Sequence, residues 1–268
     1  MTGEHECILC ERKGPRGEVL WITLNDETKM NALSDTMQQT LLSVLEGAAF
    51  DNDIRCLVFK GAGDRAFCSG GDINLFQSLN VVSAYDLSYN RGNRIQHLMN
   101  YMEKPVIAAV NGYCFAGGME LALSCDFIYA SSSAKFGLLE INLGLLAGWG
   151  GTVRLPRKIP VNRAKEMIFR GEIINAEQAY QWGLINRILP SKSDLYHEVE
   201  TIVDEMMAKP PLSLRAAKNV INNSITCDSM EAALSVERGA VMWLVSTQDS
   251  KEGVASFVEK RKPNFKGL

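Results

Sequence analysis

Val106-Ile-Ala-Ala-Val110, then Asn111-Gly-Tyr-Cys-Phe-Ala-Gly-Gly118, then Met119-Glu-Leu-Ala-Leu-Ser124 read as an apolar strand, a glycine-rich loop and a helix laid end to end. The same order occurs upstream. Arg55-Cys-Leu-Val-Phe-Lys60 is a short buried strand, and a glycine-rich loop follows it from Gly61 to Asp72. Further out, Glu18-Val-Leu-Trp-Ile-Thr-Leu24 has β-branched and aromatic content with period-2 character and ends in the polar loop Asn25 to Lys29. Ser34 stands three residues before Met37 and opens a helix through Ala49, with Leu41, Leu42 and Leu45 on one face. Val82 to Met102 carries another helical pattern. From Arg163 onward helices dominate, broken by a strand at Leu184 to Leu189 and by Pro210-Pro211. No internal repeat, low-complexity segment or dividing linker is visible. The expectation is one α/β domain with a helical C-terminal third.

Composition narrows the function classes. The chain has 268 residues, 28 Lys+Arg against 31 Asp+Glu, a net charge of −3 and 46% hydrophobic residues, an ordinary globular balance. That length suits one large domain with a sizeable core. No apolar run approaches the roughly 18 to 20 residues of a membrane span, and the charged stretch Met1 to Glu11 lacks the apolar core of a secretory signal. Lys and Arg are dispersed, which disfavours a nucleic-acid surface. Seven scattered cysteines, an odd number, suggest free thiols in a reducing, cytoplasmic compartment.

The chemistry-bearing residues gather around the glycine loops Ala66-Phe-Cys-Ser-Gly-Gly-Asp-Ile73 and Phe115-Ala-Gly-Gly-Met-Glu-Leu121. Glycine lets a backbone N–H approach a ligand closely, so two such loops are either tight strand-to-helix turns or the two halves of an oxyanion hole. Glu120 and Glu140 both sit in apolar frames, where an unpaired buried carboxylate is costly and usually has a reason. They are either an acid–base pair with separated pKa values, or carboxylates that cap helices or pair with cations such as Lys135 or Arg154. Cys7 and Cys10 form a C-x-x-C beside His5, without the second ligand pair a zinc site needs. His5, His97 and His197 have no triad-like context. Neither Gly61-Ala-Gly-Asp64 nor Gly148-Trp-Gly-Gly151 completes a phosphate-loop or dinucleotide fingerprint. Cys68, Cys114 and Cys125 read as small packed hydrophobes. Glu259-Lys-Arg-Lys262 reads as a solvated basic end that could meet a phosphate.

Taken together, Phe67-Cys-Ser-Gly-Gly-Asp-Ile73, Ala116-Gly-Gly-Met-Glu120, Phe136-Gly-Leu-Leu-Glu-Ile-Asn-Leu-Gly144 and Gly148-Trp-Gly-Gly-Thr-Val-Arg-Leu-Pro156 resemble the crotonase superfamily of acyl-CoA enzymes. Ala176 to Ile185, Ser250 to Gly253 and Phe257 to Pro263 continue the match in the same order, with enoyl-CoA hydratase the nearest pattern. The resemblance implies a spiral of ββα turns over about residues 1–200. It also implies a helical region over about 201–268 that drives assembly of a trimer or a dimer of trimers. It assigns Gly71 and Gly117 to the thioester oxyanion hole, Glu120 and Glu140 to holding and activating water, and the Gly148 amide to positioning that water. Met30, Ser69, Asp72, Ile73 and Asn74 match CoA-binding loops, and Lys260 a basic contact to the CoA phosphates, sometimes of a neighbouring subunit. No metal or redox cofactor is implied, since coenzyme A is part of the substrate.

Both acids are retained, which favours hydration of a 2-enoyl-CoA over isomerisation or another use of the enolate; a non-catalytic RNA-binding relative would need a basic stripe. Three departures touch the substrate more than the reaction. Leu139 and Ala147 replace common prolines, and Trp149 puts a large side chain beside the water-holding amide. Trp149 either narrows the acyl pocket, selecting a short, branched, cyclic or heteroatom-bearing group, or packs away from it under a helix.

Overall fold

In the computed structural model, residues 6–77 and 80–268 are described. Val106–Val110 is buried along its whole length because it lies near the middle of a six-stranded sheet, flanked by parallel neighbours. The strands of that sheet run β1 (Ile8–Lys13), β2 (Val19–Leu24), β3 (Cys56–Gly61), β5 (Val106–Val110), β7 (Phe127–Ser131) and β10 (Arg187–Leu189). All pairs are parallel except β1 with β2. A second sheet holds β4 (Ala66–Cys68), β6 (Tyr113–Phe115), β8 (Lys135–Gly137) and the antiparallel β9 (Ile174–Asn175). From β3 to β8 the chain alternates between the sheets, and helices α2 (Ile73–Gln77) and α5 (Gly117–Leu123) follow β4 and β6. The arrangement is the spiral of ββα turns.

Strand alternation divides the core. Val106, Ala108 and Val110 join Leu41, Leu45, Phe67 and Phe136 between the sheets and helix α1 (Asp35–Phe50). Ile107 and Ala109 point the other way, onto Leu195, Val199 and Val203 of α9 (Lys192–Met207). Ser34 caps α1, its side chain accepting from the Met37 N–H at 3.2 Å, as the sequence predicts. Cys68, Cys114 and Cys125 are buried among apolar neighbours, also as read.

Other elements depart from the sequence reading. β1 has a single buried residue, Ile8, so its charged edge gives no apolar period to find. The strand read at Leu184 to Leu189 shortens to Arg187–Leu189, because Leu184 and Ile185 donate back to the Ala179 carbonyl and close α8 (Ala176–Gln181). The Val82 to Met102 helix is three joined pieces: α3 (Val81–Tyr85), a π-helical segment (Asp86–Asn93) and α4 (Arg94–Tyr101). α6 (Gly151–Lys158) and α7 (Val161–Arg170) follow the second sheet's β8.

α9 crosses residue 200 and packs on β7 and β10, so it belongs to the spiral, and the C-terminal helices proper begin at α10 (Pro211–Ser224). The Lys218 ammonium fastens α10 to the body, 2.8 Å from the Met99 and Lys104 carbonyls and from the Asp126 carboxylate. α11 (Met230–Val245) has no buried residue at all, and α12 (Gln248–Val258) leaves Val254, Phe257 and Val258 exposed. Among the described residues no helix is long and apolar enough to cross a membrane.

Candidate active site

β4, β6 and β8 lie side by side and parallel, so the loops leaving their C-terminal ends open onto one place. Those loops carry Gly71, Gly117 and Glu140. Open α/β sheets place ligands at such strand ends. Gly70 has φ +109, and a Cβ there would stand 2.7 Å from the Ala116 Cβ and 3.3 Å from the Gly117 nitrogen. Only glycine permits both that backbone and that approach. Ala116 is itself held at φ 48 and ψ −125, a non-glycine conformation costing roughly 1–3 kcal/mol, with its N–H donated to the Gly137 carbonyl at 2.8 Å. This strained residue turns the chain from β6 into α5. A Cβ on Gly117 would lie 3.5 Å from the Gly71 nitrogen, so the two amides are near neighbours. Neither N–H has an acceptor among the described residues.

Glu120, in the first turn of α5, is 3% exposed. Its Oε1 accepts from the Trp149 and Gly151 backbone N–H groups, each at 2.7 Å. Those donors favour the charged form. Burial outweighs them, with help from the neighbouring Glu140 charge, and the carboxyl is pushed up to about 7. Oε1 is thereby saturated and Oε2 left to other partners. Glu140 follows β8 in a short 3₁₀ turn, Glu140–Leu143. Its Oε2 is buried without a hydrogen-bond partner among the described residues, and burial raises its pKa as well. Neither acid forms an ion pair among the described residues. Arg154 acts on Glu120 only as a nearby charge and turns its guanidinium to Gln96, while Lys135 lies over the Tyr113 ring.

A cleft of about 650 Å³ joins these groups; Gly71, Gly117, Glu120, Glu140, Gly148 and Trp149 all line it. Ser69, Asp72, Ile73 and Asn74 form its rim. Asp72 is organised there by the Asn74 N–H and amide and by the Lys29 ammonium at 3.1 Å, partners that hold its carboxyl below the usual range. Two expected contacts lie elsewhere. Met30 is not in the lining; its carbonyl accepts the Ser69 N–H at 3.0 Å, so it shapes the rim through its backbone. Lys260 follows α12 just past its C-cap Glu259, exposed and not among the residues lining the cleft. Cys10 is exposed on β1 and Cys7 precedes it, whereas His5 lies outside the described residues.

Trp149 stands between the cleft and the π-helical segment. It is 8% exposed and lines the cleft, yet its indole is backed by the π-helical segment, where a Cβ on Gly92 would meet it at 2.4 Å. Gly148 is exposed in the cleft and its carbonyl accepts from Ser88 Oγ at 3.0 Å. Sequence reasoning missed Lys29, Ser88 and Gln38 in the lining, and the Trp149 and Gly151 amides on Glu120. Gln38 alone left a signal, a polar residue on the apolar stripe shared by Leu41 and Leu45.

Known proteins resemble this chain in sequence and in fold along nearly its whole length. The family described as enoyl-CoA hydratase/isomerase matches residues 15–268. The crotonyl-CoA hydratase of Syntrophomonas wolfei is 38% identical over 264 residues, 97% of this chain and 98% of that one. The 2,3-dehydroadipyl-CoA hydratase of Escherichia coli is 38% identical over 249 residues, 93% of this chain and 95% of that one. The crystal structure of an enoyl-CoA hydratase from Bacillus anthracis superposes with a TM-score of 0.93 at 34% identity, covering 98% of this chain and 100% of that one.

Proposed function

The chain belongs to the enoyl-CoA hydratase/isomerase family, and from that premise we propose that it adds water reversibly across the 2,3 double bond of an enoyl-CoA thioester. The observation that carries this reading is the pair of buried carboxyls, Glu120 and Glu140, beside two neighbouring glycine amides in one cleft. In the proposed reaction the thioester oxygen sits between the Gly71 and Gly117 N–H groups, which draw electron density from the alkene and leave C3 electrophilic. Negative charge develops on that oxygen in the enolate-like transition state, where such donors act most strongly, each worth about 3–4 kcal/mol. Glu120 is the base: with Oε1 pinned, its Oε2 takes a proton from water as the oxygen bonds to C3. A pKa of about 7 leaves it partly ionised at neutral pH, the balance a general base needs. Glu140 gives the proton to C2. The Gly148 amide helps hold the water, and Trp149 closes one side of the acyl pocket.

At the rim, Ser69, Asp72, Ile73 and Asn74 meet the CoA moiety. Lys260, which is not among the residues lining its own cleft, meets the CoA phosphates from another copy of the chain. Self-association as a trimer or dimer of trimers would cover the apolar face of α11 and α12.

The test is loss of the enoyl-thioester ultraviolet band with crotonyl-CoA, with product mass read in parallel. The expected product is one water heavier. Glu120→Gln and Glu140→Gln should each lower kcat by about 10²–10⁴. A double-bond shift without water uptake would move the chain to the isomerase branch of the family.

A further inference from the structure

The second sheet sets its strands in the order β4, β6, β8, so the loops leaving them flank one another in that order. The β6 loop brings Gly117 to the centre. The β4 loop carries a polar flank, where the Lys29 ammonium and the Asn74 amide both serve Asp72. The loop after β8 carries the opposite flank, and there Leu139, Leu143, Leu145 and Leu146 all line the cleft. They are held beside Glu140, whose carbonyl accepts the Leu145 N–H at 3.1 Å, with Gly144 at φ +71 closing the 3₁₀ turn. Leu87 and Trp149 line the same cleft, and the bond from Ser88 Oγ to the Gly148 carbonyl ties their two segments together.

Leu143, Leu145 and Leu146 are 59%, 44% and 65% exposed. Apolar side chains gathered so openly along a cleft favour an apolar cover. In the proposed reaction CoA lies on the polar flank and the thioester oxygen at the centre, so the acyl chain runs onto the leucines. An anion would find no partner there. Lys29 is the one cation in the cleft lining among the described residues, and it sits on the other flank, bound to Asp72. The other side-chain donors of the lining are committed: the Gln38 amide to the Leu33 carbonyl, the Ser69 hydroxyl to the Lys29 carbonyl and the Ser88 hydroxyl to the Gly148 carbonyl. The ionisable groups adjoining the leucines and Trp149 are Glu140 and Glu120, both acids. A carboxylate on the acyl chain would lose water, gain no donor and stand beside two carboxyls.

We propose that Leu143, Leu145 and Leu146 are specificity-determining residues that cover the acyl chain, so that the substrate carries a neutral, apolar 2-enoyl group and a chain ending in a carboxylate is rejected. The inference rests on the hydratase reading and deepens it.

The experiment compares hept-2-enoyl-CoA with hex-2-enedioyl-CoA, a chain of similar length whose far end is a carboxylate. The readout is the ratio of kcat/KM for the two in one preparation, which cancels any loss of folded protein. The wild type should favour the neutral chain by about a hundredfold or more, since an unpaired charge loses far more on burial than one methyl group gains. Leu145→Arg and Leu146→Arg each put a cation on the exposed flank, and at least one of them should move the ratio toward the diacid by about tenfold or more. Size exclusion of the same variants reports their assembly. Equal turnover of the two chains by the wild type, or a preference for the diacid, would overturn the inference. A ratio unchanged in both variants would take the leucines off the acyl chain, and a fall in assembled mass beside it would give them to a second copy of the chain. Hydration of neither substrate would remove the hydratase reading itself, and is distinguishable because every other outcome requires turnover.

Discussion

A carboxyl as buried as Glu120 records a contest between four influences: loss of water, two backbone donors, a second carboxyl and the nearby Arg154 charge. The loss of water prevails, and the folded-state pKa stands at about 7 against about 4.5 in the unfolded chain. The sign of the consequence follows from proton counting. Between those two values the folded state holds the proton more often than the unfolded state does, so stability falls as pH rises through that window, by roughly 3 kcal/mol in all. Glu120→Gln cannot ionise, and its side-chain oxygen can still accept from Trp149 and Gly151. The variant should therefore unfold at higher temperature than wild type at pH 8 and lose that advantage near pH 4.5; a Tm difference independent of pH would count against the buried charge. The same ionisation places the rising limb of kcat/KM near pH 7. At this scale much of the site was readable, because acids in apolar frames and paired glycines are unusual in any soluble chain. The donors on Glu120 were not, since a backbone N–H looks alike at every residue and only the fold shows which one faces a carboxylate.

Among the elements, the π-helical segment Asp86–Asn93 binds the site together. Ser88 holds the Gly148 carbonyl, Gly92 seats the Trp149 indole, and the Trp149 N–H holds Glu120. π-Segments inside helices are often found at functional sites. A methyl group at Gly92 would press on the indole, so Gly92→Ala should cost about 1–3 kcal/mol of stability by overpacking. It should also lower kcat, through the displaced Trp149 amide. Urea unfolding and steady-state kinetics on the same preparation check both; unchanged values in each would mean that Trp149 is free to move. The helical periodicity of Val82 to Met102 was visible in the sequence, whereas the widened turn within it was not. One residue of phase shift barely alters the apolar pattern, and the widening is stabilised by the 148–151 loop, about sixty residues away in sequence. Short strands such as β4, β6 and β8 were unreadable for a related reason: three residues carry too little periodicity.

For the molecule as a whole, α11 and α12 are the unfinished part. Met242 and Trp243 on α11 and Phe257 on α12 are all half or more exposed, and α11, with no buried side chain, packs mainly on α10 and leaves much of its apolar surface uncovered. With a chain mass of 29.6 kDa, light scattering after size exclusion should give about three or six times that value, the stoichiometries of closed assemblies built on a threefold axis. Met242→Glu with Phe257→Glu should drive the mass toward one chain and weaken CoA-ester binding, if Lys260 serves a neighbouring cleft. A wild type that runs as a monomer at micromolar concentration would overturn both expectations.

The longer strands, the glycine loops and the helices were legible along the chain, because they rest on apolar periodicity and on the missing side chain of glycine. The two acids and the two glycines stood out as candidates by the same local chemistry, and the family resemblance gave them their expected roles. Convergence is of another kind. That Gly71 and Gly117 become neighbours and that Trp149 and Gly151 turn their amides onto one oxygen of Glu120 depend on how the second sheet lays β4, β6 and β8 side by side. These are contacts between residues tens of positions apart. Their geometry is set by packing between the sheets, and no local pattern in the sequence carries it.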